Sequence, residues 1–258
     1  MLRSSLLTKQ AVGEAAAIPT GMRTDVSGKS VTNTILLSIP DQEFTLLRPS
    51  LEFIKPAYRE SLHETGERIN YAYFLNGGMV SFMIVTSDSR SVEVGIAGKE
   101  GVVGAQLAVG VHRSPYRTVV QMAGDGLRIK AGDLEQILHL TPQLNLLVNR
   151  YAQIQGLQVA QLAACNRLHE IEQRLARWLL MSQDRVDSGA FPMTHDWLAQ
   201  MLGTRRPSVT LAAGILQKAG MIEYTRGNVK ILNRKSLEEA ACECYRVIQQ
   251  FNGELGLK

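Results

Sequence analysis

Two apolar stripes at helical spacing, parted by one glycine and restarted beside a proline, fix what the C-terminal part of the chain can become. Thr194 can cap a helix opening at His195, with Trp197, Leu198, Met201 and Leu202 turned inward around small Ala199, and Gly203 ends it. Thr204 is then expected to cap a second helix. Pro207 falls in its first turn, where backbone N–H groups have no intrahelical partner. Val209, Ala212, Ala213 and Leu216 form the second buried stripe, which leaves Pro207, Leu211, Gly214 and Lys218 facing outward. The next run, "GMIEYTRGNVKIL", has strand-like Met221–Tyr224 and Val229–Leu232 about a turn at Arg226-Gly227-Asn228. Helix, turn, helix and hairpin in this order predict a winged helix.

A helix-turn-helix presents the start of its second helix to the DNA major groove. Arg205 and Arg206 stand there. Arginine is the commonest donor to guanine O6 and N7, and a good bidentate contact discriminates by about 1–3 kcal/mol. Thr204, Ser208 and Thr210 are candidates for phosphate or base contacts, Leu211 for a thymine methyl group, and Lys218 for phosphate. Arg226 and Lys230 would approach the phosphate backbone from the wing, fixing register without reading sequence. Paired arginines at a helix start are elsewhere mostly a solvated turn. Here capping, glycine turn, stripes and hairpin all agree around them.

Upstream the texture is different. Residues 1–30 read as a flexible arm, because Arg3, Lys9, Glu14, Arg23 and Asp25 break every apolar run before it reaches signal-peptide or membrane-span length. Mixed apolar spacing around Pro40 and Pro49 predicts short helices. From Ser61 to Ile129, short strand-like runs alternate with turns at Asn76-Gly77-Gly78, Ser87-Asp88-Ser89, Gly98-Lys99-Glu100-Gly101 and Gly124-Asp125-Gly126, which predicts an antiparallel β-roll. After Pro142 there is no proline until Pro192, and Leu144, Leu147, Tyr151, Ile154, Gln158 and Gln161 follow helical steps. That seam either packs on the roll or pairs with its own copy across a two-fold axis. The expected organisation is α+β: arm 1–30, a β-roll domain with N-terminal helices over 31–141, a long dimerisation helix over 142–165, and a winged helix over 166–258.

Composition excludes more than it selects. A net charge of +4 and a pI near 9.0 suit a polyanionic partner without demanding one. The odd cysteine count, Cys165, Cys242 and Cys244, favours a reducing compartment, and the cytoplasm is the expected location. Cys242 and Cys244 are read as lying on a helix after the wing, where alternate positions point about 200° apart and disfavour a shared metal. Cys165 reads as a small buried residue or a redox thiol. No metal site and no cofactor is expected. No nucleophile elbow, phosphate-binding glycine loop or placed acidic pair suggests an enzyme.

The whole arrangement resembles the Crp/Fnr family of bacterial transcription regulators over roughly residues 35–235. The stretches that carry the resemblance are "FLNGGMVS", "EVGIAGKEGVVG", "NRLHEIEQRLARWLL" and "MTHDWLAQMLGTRRPSVTLAAGILQKAGMI". The resemblance implies a cyclic-nucleotide-binding-like roll and a homodimer through the long helix, with two recognition helices about one DNA turn (~34 Å) apart on a near-palindromic site. It also implies an effector pocket. The family's nucleotide binders carry a Gly-Glu pair for the ribose, where this chain has Gly104-Ala105, and an Arg-Ser or Arg-Thr pair for the phosphate. Arg113-Ser114 and Arg117-Thr118 meet that pattern only after shifts of one and three residues. Gln155, Val159 and Ala160 stand where polar nucleotide contacts are expected on the long helix. Cyclic AMP is therefore not the expected effector. The family's iron–sulfur branch needs N-terminal cysteines that residues 1–60 lack, and His63, His112 and His139 mark no haem ligand.

The partners expected are double-stranded DNA and a second copy of the chain, with RNA polymerase and an unidentified small-molecule effector as further candidates and no membrane. The alternative is a ligand-binding module whose winged helix, with Pro207 and Leu211 on its outer face, makes protein contacts.

Overall fold

The computed structural model describes residues 23–186 and 188–256. The chain opens with two short helices, α1 (Thr34–Ser38) and α2 (Asp41–Leu47), and a 3₁₀ turn, Arg48–Ser50. Seven strands follow: β1 (Glu52–Ile54), β2 (Ser61–His63), β3 (Tyr71–Leu75), β4 (Met79–Val85), β5 (Ser91–Ala97), β6 (Arg117–Met122) and β7 (Gly126–Lys130). All pair antiparallel, in sheets of order β1-β7-β3 and β2-β6-β4-β5. The expected glycine turns lie between them. At Gly78, φ is +75°, and a Cβ would sit 2.5 Å from the Met122 carbonyl oxygen, so two turns meet there backbone to backbone.

The helical half comprises α3 (Ala131–Leu138), α4 (Pro142–Leu168), α5 (Ile171–Gln183), α6 (His195–Met201), α7 (Arg206–Lys218), α8 (Arg234–Ala240) and α9 (Cys244–Gly253). A small sheet of order β8-β10-β9 stands among them, made of β8 (Ala190–Pro192), β9 (Ile222–Thr225) and β10 (Asn228–Ile231).

Pro142 occupies the first turn of α4, and the Glu43 carboxylate accepts from the Gln143 and Leu144 N–H groups at 3.0 and 2.8 Å. An anion at a helix start satisfies donors the helix itself cannot. The helix runs three residues past its expected end at Cys165 and breaks at extended His169. A capping box between Glu170 and Gln173 then restarts the chain as α5.

The apolar seam of α4 faces the roll. Leu144, Leu147, Tyr151 and Ile154 are buried in one core with Phe74, Phe82, Val102 and Leu127. Tyr151 fills the space left at Gly101, where a Cβ would stand 2.2 Å from its ring. Gln158 is buried too, donating to Asn252 of α9 at 2.6 Å, and half-buried Gln161 donates to Cys244. These six residues, expected at a dimer interface, are thus occupied by the chain's own roll and C-terminal helix. The exposed stripe of α4 is instead Leu146, Gly156, Leu157, Ala160, Ala164 and Leu168.

A second core joins the two halves. Strand β4 is apolar on both faces: Val80 and Phe82 point into the roll, while Met79 and Met83 share a core with Trp178, Leu179, Phe191 and Met193. The run "MVSFMIV" therefore reads as a strand covered on both sides. Glu93 of β5 accepts from Trp178 Nε1 at 2.8 Å and from Ser81 Oγ at 2.6 Å across this junction. Arg185 pairs with Glu100 at 2.7 Å.

Two further expectations are corrected. Residues 1–22 of the arm lie outside the described residues, but 23–30 are anchored: the Arg23 guanidinium binds the Ile39 carbonyl and Asp41, each at 2.6 Å, and Asp25 is buried under Ser27 and Lys29 N–H groups. Cys242 is not helical. The chain turns extended at Ala241, between α8 and α9, and this brings Cys242 and Cys244 together with Cys165 in a small buried cluster.

Candidate nucleic-acid interface

Thr194 caps α6 by accepting from Trp197 N–H at 3.2 Å. Gly203, at φ +57°, turns the chain against Val92 of β5. The N-cap of α7 is Arg205 rather than Thr204, with no side-chain capping bond, and Pro207 sits in the first turn. The difference is one residue of extended chain: the Thr204 N–H closes the turn onto the Ala199 carbonyl at 2.9 Å, so helical geometry begins only at Arg206. Val209, Ala212, Ala213 and Leu216 are buried as expected, and Leu175 and Trp178 of α5 belong to the same core. At about 1.5–3 kcal/mol for each fully buried large apolar side chain, this stripe holds α7 in place.

The outward face is open. Arg205, Arg206, Pro207, Thr210, Leu211, Gly214 and Lys218 are exposed, with Thr204 and Ser208 half-buried. The Arg206 Nε lies 3.5 Å from Asp196, a solvated pair that leaves the guanidinium free to exchange partners. Thr210 is less available: its hydroxyl lies 2.9 Å from His195 Nδ1 and donates to the Arg206 carbonyl at 3.1 Å. His195 stacks on Tyr224 with ring centroids 4.1 Å apart, and burial, helped by the Arg206 charge, holds its pKa below the usual imidazole value. Arg205 lines a cleft of about 750 Å³ between this turn and the β4–β5 hairpin, with Arg90 opposite.

The wing follows the expected hairpin. Both residues of its two-residue turn have positive φ, Arg226 at +47° and Gly227 at +81°, the combination of a type I′ turn. Arg226 is therefore held at the exposed tip, and Lys230 points outward from β10. The Tyr224 hydroxyl donates to the Met193 carbonyl at 2.5 Å, tying the wing to the segment that leads into α6.

Residues 173–240, from α5 through α8, match the sequence profile of the Crp-like helix-turn-helix domain. This region is a Crp-like helix-turn-helix domain. Over about three quarters of the chain, the fold is also that of solved Crp/Fnr regulators. FixK2 from Bradyrhizobium japonicum superposes with a TM-score of 0.64 at 16% identity, covering 74% of this chain and 98% of that one. The c-di-GMP responsive global regulator CLP from Xanthomonas campestris gives 0.62 at 15% identity over 74% and 99%. A CRP-family transcriptional regulator from Thermus thermophilus gives 0.59 at 21% identity over 73% and 96%. Among curated proteins none matches the chain in sequence. Among the described residues no helix is long and apolar enough to cross a membrane.

Beyond the Crp-like domain, the roll holds a pocket of about 170 Å³, below the roughly 300–1,000 Å³ of ordinary ligand sites. Gly104 and Ala105 line it, as expected. Arg113 and Arg117 do not: Arg113 donates outward to the Gly66 carbonyl at 2.8 Å, and Arg117 pairs with Glu64 at 3.3 Å on the surface. Each stands one residue before a residue that lines the pocket, Ser114 after Arg113 and Thr118 after Arg117, so alternation along the chain turns both arginines outward. The polar lining includes His63, Gln106, Ser114, Thr118 and Gln155. Burial lowers the His63 pKa, so at neutral pH that ring is uncharged. No lysine or arginine lines the pocket.

Sequence reasoning missed the groups that dock the Crp-like domain on the roll: Glu93 with Trp178, and Gln121, which binds the Trp197 ring N–H and donates to Met193 Sδ at 3.4 Å. Their only local trace is two tryptophans with an N–H to satisfy.

Proposed function

We propose that this protein is a sequence-specific DNA-binding transcription regulator, acting as a homodimer on a near-palindromic site. The observation that carries the reading is the open N-terminal half of α7, with Arg205 and Arg206 side by side on the outer face of a Crp-like domain. Arg206 reads a guanine, Leu211 meets a thymine methyl group, and Ser208, Lys218, Arg226 and Lys230 hold phosphates. The dimer forms through the outer stripe of α4, where Leu157 is flanked by Gly156 and Ala160 and two helices can approach closely. The roll does not take cyclic AMP, because its pocket is small and offers a phosphate no cation. Any effector it accepts is a smaller, uncharged molecule. The regulator works in the cytoplasm, without enzymatic activity, and RNA polymerase is the further partner its role calls for.

The exposed apolar pair Leu211 and Ile215 favours a second reading, in which α7 docks on a protein. Salt separates the two. Binding to DNA weakens steeply as salt rises, since each neutralised phosphate releases counterions, whereas an apolar protein contact does not. The test is anisotropy titration of a duplex at several salt concentrations, where a flat dependence would reject the DNA reading.

A further inference from the structure

We infer that Cys165, His169, Cys242 and Cys244 form a closed tetrahedral site for one divalent metal ion of the zinc class. The four ligand atoms lie within 4.8 Å of one another. Cys165 Sγ and Cys242 Sγ are 3.5 Å apart, and Cys244 Sγ lies 3.6 Å from His169 Nδ1. A tetrahedron with metal–sulfur bonds of about 2.3 Å and a metal–nitrogen bond of about 2.0–2.1 Å has S···S edges near ~3.8 Å and S···N edges near ~3.6 Å. The cluster is already close to that size before any ion enters. Its donors surround one ion rather than the larger body of an iron–sulfur cluster. Three thiolates and an imidazole suit zinc, and with all four positions filled by protein the site is structural.

Two independent features around the cluster point the same way. The first concerns the histidine. His169 Nε2 lies 3.1 Å from Glu243 Oε1, so the carboxylate takes that N–H and leaves the Nδ1 lone pair facing the sulfurs. This is the second-sphere arrangement that fixes the tautomer of a metal-bound histidine. Gln161 Nε2 donates to Cys244 Sγ at 3.1 Å, a further bond suited to a thiolate.

The second feature is charge. Arg174 and Arg177 of α5 are buried, each has an Nε without a partner, and neither makes an ion pair among the described residues. Buried guanidinium groups without counter-charge are costly. Three thiolates around a dication carry one net negative charge close to Arg177, which acts electrostatically on Cys165 as it does on Glu93.

The site joins distant parts of the chain. Cys165 and His169 lie at the end of α4, while Cys242 and Cys244 flank the turn that leads out of the Crp-like domain. The bound ion therefore clamps both ends of that domain to the long helix, across the break at His169. Its occupancy sets how firmly the domain is held, whatever the domain's partner.

The full-length chain, reduced and stripped of metal, is titrated with Co²⁺ and then with Zn²⁺. The expected result is the strong visible bands of tetrahedral cobalt with thiolate charge transfer in the near ultraviolet, saturating at about one ion per chain and bleached by zinc. Cys242→Ser lowers the charge-transfer intensity and weakens cobalt binding. Because a ligand variant can misfold, exposed Glu243→Gln serves as the second probe: it should keep the native circular dichroism and bind zinc about 10–100-fold more weakly. His139→Ala, far from the cluster, should change nothing. A folded protein that shows no cobalt bands would overturn the site. So would zinc binding untouched by both Cys242→Ser and Glu243→Gln, or thiols whose only chemistry is a Cys165–Cys242 disulfide.

Discussion

The outer face of α7 and the pocket in the roll are the two places where a regulator of this fold meets other molecules, and they are built on opposite principles. On α7 the buried stripe only positions the helix, and the exposed Arg205, Arg206 and Lys218 are long, basic and able to reach a ligand. In the roll, the residues that could hold a charged ligand are turned outward, and the long helix pushes Tyr151 into the space that remains. On the proposed function, one half keeps the chemistry for binding a polyanion while the pocket of the other offers a phosphate no cation.

The largest expected effect breaks the pocket side. Leu147→Ala removes a side chain wedged between α4 and the roll and should cost about 2–5 kcal/mol in urea unfolding. Leu157→Ala, on the outer stripe, should leave monomer stability nearly unchanged and weaken self-association in sedimentation. If Leu147→Ala instead shifted only the dimer equilibrium, the inward assignment of the seam would be wrong. On the other side, Arg206→Ala should cost about 1–3 kcal/mol on the preferred site and little on unrelated DNA, measured by competition titration.

A pH effect links the two halves. Burial pushes Glu93 up from 4.5 to about 7, against the opposing hydrogen bonds from Ser81 and Trp178. An acid whose folded value is raised binds more protons in the native state, so its contribution is most favourable below 4.5 and is lost as pH rises to about 7. Thermal melts across that window should show stability declining, and Glu93→Gln should flatten the decline. Smaller still, Lys230→Ala should weaken binding to every sequence alike and lower the salt slope by about 1. Cyclic AMP should move neither the melting temperature nor the DNA affinity; a clear shift in either would end the account of the roll given above.

How far the sequence revealed this architecture depended on the range of the interactions. Thr194, Gly203 and Pro207 act on their immediate neighbours, and the wing turn needs only its own two residues, so the helix-turn-helix was legible within one residue of its observed caps. The inward stripe of α4 was visible too, but its partner was not. A buried Leu147 serves a roll or a second chain equally well, and only the packed core distinguishes them. Arg113 and Arg117 met the family's pattern only after shifts of one and three residues, and a single residue of register decides which side of a strand a side chain occupies. Cys165 and His169, four apart in sequence at the end of α4, carried a local hint. Cys242 and Cys244 join them only because the chain turns at Ala241, where a helix was expected.

The most direct test of the central claim is selection from a random duplex pool by the purified full-length protein, with no added ligand, read by sequencing. The account predicts enrichment of a two-fold symmetric site whose half-site holds a guanine that loses its preference in Arg206→Ala. Folded, dimeric protein that enriches no sequence would contradict it.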